Sequence, residues 1–221
     1  MKKILLLLLL LSLEWPIGSS AATPNLLVVG DSLSAGYGVA AEQRWVTLLG
    51  QRLAQHCGPF SVVNASISGD TSKGGLSRLP ALLANHGPDL VVIELGGNDG
   101  LRGIPIKTMR HNLQQMVSLA KRAKAAVLLL GVRLPANYGE AFVNAFHQVY
   151  YDVAEAESVP LVPFFLQDVA LEKELMQADG IHPNDKAQPI LLDNVWSKLS
   201  SLIRDRGLAA GCNDLTPIIA N

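Results

Sequence analysis

The sequence of 221 residues carries almost no net charge: 18 Lys and Arg stand against 19 Asp and Glu, and no basic cluster exists beyond Lys121-Arg122 and Lys124. Without a field of one sign there is no electrostatic reason to expect nucleic acid or an anionic membrane surface as a partner, and these three cations suit a solvated helix end. Cysteine is nearly absent; Cys57 and Cys212 are the only two, the count that a single bridge requires. No cluster of Cys, His and Asp has metal-ligand spacing, apart from one Asp and His pair considered below. Nor is there an internal repeat or a low-complexity segment after the first two dozen residues. The longest apolar run, Ile4 to Leu13 with Ser12 as its one interruption, is short for a bilayer span and ends at Glu14 and Pro16.

That run belongs to targeting. Lys2 and Lys3 precede it, and Gly18-Ser19-Ser20-Ala21-Ala22 follows with the small residues of a signal-peptidase site, so residues 1–22 read as a leader cut after Ala22. No cysteine follows closely enough for a lipid anchor. The expectation is an exported bacterial protein, periplasmic or secreted, with no stable membrane anchor. The remaining length and an apolar content of 49% suit one domain over 23–206, with a tail over 207–221.

Within that domain apolar bursts alternate with helical patterns. Strand candidates are Leu26 to Gly30, Phe60 to Ala65, Leu90 to Leu95, Ala126 to Gly131 and Pro160 to Phe164. Between them apolar residues recur three and four apart: Trp45, Leu48, Leu49 and Leu53; Leu76, Leu79, Leu82 and Leu83; Met109, Leu113, Met116 and Val117; Phe142, Phe146, Val149, Tyr150 and Val153. A last helix, from about Ala187 to Arg206, tolerates Pro189 in its first turn and stops at Gly207. Five strands interleaved with helices imply right-handed crossovers and an α/β fold of three layers, α/β/α, around a parallel sheet. The common doubly wound, flavodoxin-like order is 2-1-3-4-5, which sets the loops after the first and third strands side by side at the carboxyl edge.

Those two segments carry Gly30-Asp31-Ser32-Leu33-Ser34 and Gly96-Gly97-Asn98-Asp99-Gly100. Ser32, presented at the end of a buried strand, is a candidate nucleophile, although the same residues suit a loop or helix cap. The Asn98 amide could donate to an oxyanion on a carbonyl that Ser32 has attacked, although Asn-Asp with glycines is also an ordinary turn. After the second strand, Gly69 offers a backbone N–H, and Asp70-Thr71-Ser72 looks like the capped start of a helix. Near the end, Asp179-Gly180-Ile181-His182-Pro183 lets one turn bring the Asp179 carboxylate to a ring nitrogen of His182 while the other nitrogen faces a serine. Asp and His are also metal ligands, but nothing else nearby completes a set. Of the other histidines, His111 and His147 fall on helices and His56 and His86 end them, as surface residues do.

Taken in order from about Leu26 to Ile203, the blocks Gly-Asp-Ser-Leu-Ser, Gly69, Gly-x-Asn-Asp and Asp-Gly-x-His-Pro resemble the SGNH, or GDSL-type, hydrolases, and in particular their secreted thioesterases, lysophospholipases and arylesterases. The resemblance implies Ser32 as nucleophile, Asp179 and His182 as its partners, and Ser32, Gly69 and Asn98 as oxyanion donors. No metal and no cofactor are expected; the expected partner is a small acyl ester substrate, and the expected state is a monomer. The α/β-hydrolase pattern is excluded, because Ser34 stands where Gly-x-Ser-x-Gly needs its second glycine and the acid and base share one turn. A serine esterase or thioesterase is therefore expected. The alternatives are an O-acetylesterase of envelope carbohydrate and, in another class, a non-catalytic flavodoxin-like binding module. Apolar residues of the loops Leu101 to Ile106, Leu134 to Tyr138 and Phe164 to Met176 are candidates for acyl contact, and equally for core packing.

The fold order also bears on the cysteines. Cys57 follows the first long helix and Cys212 follows the last, and in a 2-1-3-4-5 sheet those helices are neighbours on one face, ending at the edge opposite Ser32. An exported chain keeps disulfides, so a Cys57 to Cys212 bridge is expected.

Overall fold

A computed structural model describes residues 23–209 and Cys212; the expected leader over 1–22 and most of the tail lie outside the described residues. Five strands, β1 (Asn25–Gly30), β2 (Ser61–Asn64), β3 (Leu90–Glu94), β4 (Ala126–Leu130) and β5 (Leu161–Val162), form one sheet in the order β2-β1-β3-β4-β5. Every pairing is parallel. Between them lie α1 (Ser32–Ala35), α2 (Trp45–His56), α3 (Ser72–His86), α4 (Gly97–Leu101), α5 (Ile106–Arg122), α6 (Glu140–Glu157) and α7 (Gln188–Asp205). This is the order read from the sequence.

The central strands are continuous apolar runs because helices cover both faces. Alternate residues serve opposite layers: Leu26, Val28, Leu90, Val92, Leu128 and Leu130 pack with α2 and α7, whereas Leu27, Val29, Val91, Ile93, Val127 and Leu129 pack with α3, α5 and α6. The helical stripes read from the sequence point inward, with Leu48, Leu76, Leu82, Phe142, Ile190 and Leu202 only partly buried at the margins. The last strand is two residues long where five were expected. Pro160 and Pro163 have no N–H to give a ladder, so β5 contributes carbonyls: Leu129 N–H donates to Pro160 O at 3.1 Å and Gly131 N–H to Val162 O at 2.8 Å. Pro189 falls in the first turn of α7, and Gly207 ends the helix with φ +65°.

Cys57 and Cys212 form a disulfide that closes a loop of 155 residues. Cys212 is fully buried against the α2 and α7 layer, and the Arg204 guanidinium donates to its carbonyl at 2.5 Å. Reduction is expected to lower stability by about 3 to 5 kcal/mol, the loop-entropy scale for a ring of this size, and to leave kcat unchanged, because the bridge lies at the edge opposite Ser32. Thermal unfolding with and without reductant, paired with an esterase assay on the same samples, measures both.

Candidate active site

Ser32 and Asn98 come together at the carboxyl edge, but on helical turns where the sequence suggested loops. Ser32 is the first residue of α1, whose N-cap is Asp31: the Asp31 carboxylate accepts the Leu33 N–H at 3.1 Å. Asn98 is the second residue of α4, and Gly96, at φ +122°, makes the sharp exit from β3 that starts it. A side chain on Gly96 would also run into the Tyr150 hydroxyl and the Met109 sulfur. These turns are too short to give a helical period, which is why the sequence reads them as loops.

His182 comes from a loop folded back on itself. Gln177 N–H donates to His182 O at 2.7 Å, Met176 bridges Pro183, and Asn184 N–H donates to Leu175 O at 2.8 Å. Inside that loop, Gly180 at φ +66° lets Asp179 receive the N–H groups of Ile181 and His182 on one oxygen, at 2.9 and 3.0 Å. Its other oxygen meets His182 Nδ1 at 2.7 Å. The opposite ring nitrogen, Nε2, lies 2.9 Å from Ser32 Oγ. The hydrogen bond to His182 and the two backbone N–H groups hold the Asp179 carboxyl down to about 2. Asp179 is thus ionised at neutral pH, and an ionised acceptor at Nδ1 keeps the ring proton there and leaves Nε2 free to receive one. Tyr37 lies over the imidazole, ring centroids 4.6 Å apart, and Gln177 Nε2 donates to Tyr37 O at 2.7 Å and to Pro183 O at 2.9 Å. One glutamine therefore ties the histidine loop to the segment after Ser32.

Gly69 sits on the loop after β2 with φ +79°. Ile67 N–H donates to Gly30 O at 3.0 Å, which fastens this loop beside the end of β1. Arg78, unremarked in the sequence, is its main support: Nε bonds the Asp70 carboxylate at 2.8 Å, and the other nitrogens bond Ala65 O and Gly30 O. Thr71 caps α3 through the Gly74 N–H, as Asp70-Thr71-Ser72 suggested.

Behind Ser32 lies a pair of carboxyls, Asp31 and Glu94, that sequence reasoning missed. Glu94 ends β3 and is fully buried; its Oε2 accepts from Ser34 Oγ at 2.8 Å and from Asp31 N–H at 3.3 Å, while Oε1 has no hydrogen-bond partner among the described residues. Burial, then the neighbouring Asp31 charge, push the Glu94 carboxyl well above its usual range. Asp31 is also raised by burial, but only to about 6, because Leu33 N–H, the Asn98 amide and His182 favour its charged form. Glu94 is the more strongly raised of the two, which favours the proton of the pair on Glu94 and the charge on Asp31. The signal was present: a glutamate closing the apolar run Leu90-Val91-Val92-Ile93 cannot reach water from a strand covered on both faces.

A raised carboxyl pKa destabilises the fold on the alkaline side. Below the ordinary glutamate value of 4.5 both folded and unfolded chains hold the proton, and above it only the folded chain does. Stability is therefore lost as pH rises, by up to about 1.4 kcal/mol per pH unit, until the folded group itself ionises. Glu94→Gln removes this linkage, so its Tm relative to the parent is expected to rise as the pH goes from 5 to 8. A pH-independent difference in Tm would show Glu94 to be ionised in the fold.

The mouth of a cavity of about 510 Å³ opens on Ser32, Asn98 and His182. All three loops singled out in the sequence contribute to it, through Leu101, Leu134 and Pro135, and Phe164, Leu166, Leu171 and Met176. The third loop is divided, since Phe165 and Val169 turn into the core and are fully buried. Among the described residues no group of three or more His, Cys, Asp or Glu could hold a metal ion, and no helix is long and apolar enough to cross a membrane.

The profile of the GDSL-like lipase/acylhydrolase family matches residues 28–189. The chain is 56% identical over 183 residues to esterase TesA of Pseudomonas aeruginosa, an overlap of 83% of this chain and 91% of that one. To thioesterase 1/protease 1/lysophospholipase L1 of Escherichia coli K12 it is 48% identical over 184 residues, 83% of this chain and 87% of that one. Among solved structures, psychrotrophic esterase EstA from Pseudoalteromonas sp., inhibited by monoethylphosphonate, superposes with a TM-score of 0.78 at 40% identity, covering 81% of this chain and 98% of the other.

Proposed function

The chain belongs to the GDSL-like lipase/acylhydrolase family, and we propose that it is an exported esterase and thioesterase that hydrolyses acyl esters through an acyl-enzyme on Ser32. The observation that carries this is the line from Asp179 Oδ2 through His182 to Ser32 Oγ, with gaps of 2.7 and 2.9 Å. His182 Nε2 takes the Ser32 proton as Oγ attacks the carbonyl carbon, and the Asp179 carboxylate stabilises the imidazolium that forms. The carbonyl oxygen, now anionic, is received by the Asn98 amide and the backbone N–H groups of Ser32 and Gly69. As the tetrahedral intermediate collapses, His182 returns the proton to the departing alcohol or thiol. Water then enters, gives its proton to Nε2, and releases the acid from Ser32 by the same steps in reverse order.

The apolar cavity beside Ser32 supports an acyl chain as the part of the substrate that is bound, and the relatives' names, esterase and lysophospholipase, agree with that class. The test is a panel of p-nitrophenyl esters and acyl thioesters of graded length, assayed with the protein that starts at Thr23. Over short chains kcat/KM is expected to rise about fourfold with each methylene, the value of burying one such group. A protein inert toward every ester would be a binding module. One that cleaves acetylated sugars far faster than any longer acyl ester would be a carbohydrate O-acetylesterase. Export is read from the leader, and an exported protein whose amino terminus is not Thr23 would remove the cleavage assignment.

A further inference from the structure

We infer that Asp31 is a positioning residue for the oxyanion site, its carboxylate holding the side-chain amide of Asn98 and the turn of Ser32 in one register; the inference rests on the role proposed above for Asn98. Asp31 is 2% exposed, and both of its oxygens accept hydrogen bonds. Oδ1 receives the Leu33 N–H at 3.1 Å, which fixes α1 and so the direction of Ser32. Oδ2 receives Asn98 Nδ2 at 3.0 Å. A primary amide has two protons, so this bond sets the plane of the Asn98 amide and leaves its second proton for the carbonyl oxygen of a substrate. Asp31 thus couples nucleophile and oxyanion donor, which arrive from different strands of the sheet.

The chemistry requires a carboxylate here. Each oxygen of the side chain receives its own donor, and a carboxamide in the same place could accept from one only and would point its own N–H₂ at the other. The surroundings select the ionised form for Asp31 rather than for its neighbour. Glu94 Oε2 accepts from the Asp31 N–H and from Ser34 Oγ while its other oxygen has no donor among the described residues, whereas Asp31 has a donor on each oxygen, which favours the proton on Glu94 and the charge on Asp31. Gly97 completes the pocket: a methyl group there would stand 3.5 Å from Asp31 Oδ2, in ordinary contact, so the carboxylate is seated against the first turn of α4.

A double-mutant cycle tests this. Asp31→Asn, Asn98→Ala and the combination are assayed on a soluble p-nitrophenyl ester, with sites counted by fluorophosphonate titration so that kcat refers to folded, competent protein even where folding is impaired. Asn98→Ala is expected to lower kcat by about 10²- to 10³-fold. Asp31→Asn is expected to lower kcat by about 10- to 100-fold with KM changed less than about threefold, since the lost contact acts at the transition state. The combination should be within about threefold of Asn98→Ala alone, because the oxygen of the Asp31→Asn side chain still accepts the Leu33 N–H and only the bond to Asn98 is lost. Multiplicative losses, or an Asp31→Asn protein of parental kcat, overturn the inference. If Asn98→Ala itself is without effect, the oxyanion assignment fails instead, so the two failures are told apart.

Discussion

Ser32→Ala lowers kcat for acyl ester hydrolysis by about 10⁴- to 10⁶-fold, with thermal unfolding within a degree or two of the parent. The size follows from the role proposed for the hydroxyl, whose oxygen would form the covalent bond to the acyl group; among the described residues it is the hydroxyl that meets His182 Nε2. A residual rate above the uncatalysed one persists, because substrate binding and oxyanion donors remain. The fold is spared because Ser32 is held by its backbone. Gly36 and Tyr37 N–H both donate to Ser32 O at 3.1 Å, and alanine keeps these bonds. The check is a progress curve at high enzyme concentration beside a melting curve; near-parental turnover would exclude Ser32 as nucleophile.

His182→Ala is expected to cost as much, about 10⁴- to 10⁶-fold in kcat, and adding it to Ser32→Ala should cost almost nothing further, since nucleophile and base act as a unit. The loop that carries the histidine survives the change. Its carbonyl still receives Gln177 N–H and its N–H still donates to Asp179 Oδ1, so the Asp179 carboxylate keeps two of its three bonds. A loss of only tenfold would show that something other than His182 takes the Ser32 proton. Comparing kcat for the two single variants and the pair decides it.

The sheet was legible because its central strands are covered on both faces and so appear as unbroken runs of Leu, Val and Ile, and the long helices because each buries one stripe. From the order of strands alone, Ser32 and Asn98 could be set at one edge, and Cys57 near Cys212. The spacing of Asp179 and His182 also suffices for the turn that joins them. What did not show was whatever depends on short backbone segments or on polar groups inside the core. The turns of α1 and α4 have no period, and β5 is cut short by two prolines that give no N–H. Arg78 looks like any helix surface cation until its bonds to the Asp70 carboxylate and to the carbonyls at the ends of β1 and β2 are seen. In the sequence Asp31 is one residue of a motif, and Glu94 falls unmarked within the strand candidate Leu90 to Leu95. Their partnership needs β1 and β3 in register, Gly30 opposite Glu94, and is invisible at a separation of 63 residues.

The identity of the nucleophile can be read directly by treating the purified protein with a fluorophosphonate and mapping the adduct by peptide mass spectrometry. The expected result is one phosphonyl group per chain, on Ser32, absent from Ser32→Ala and formed far more slowly in His182→Ala. Modification of another serine, or equal modification of the Ser32→Ala protein, would contradict the acyl-enzyme mechanism.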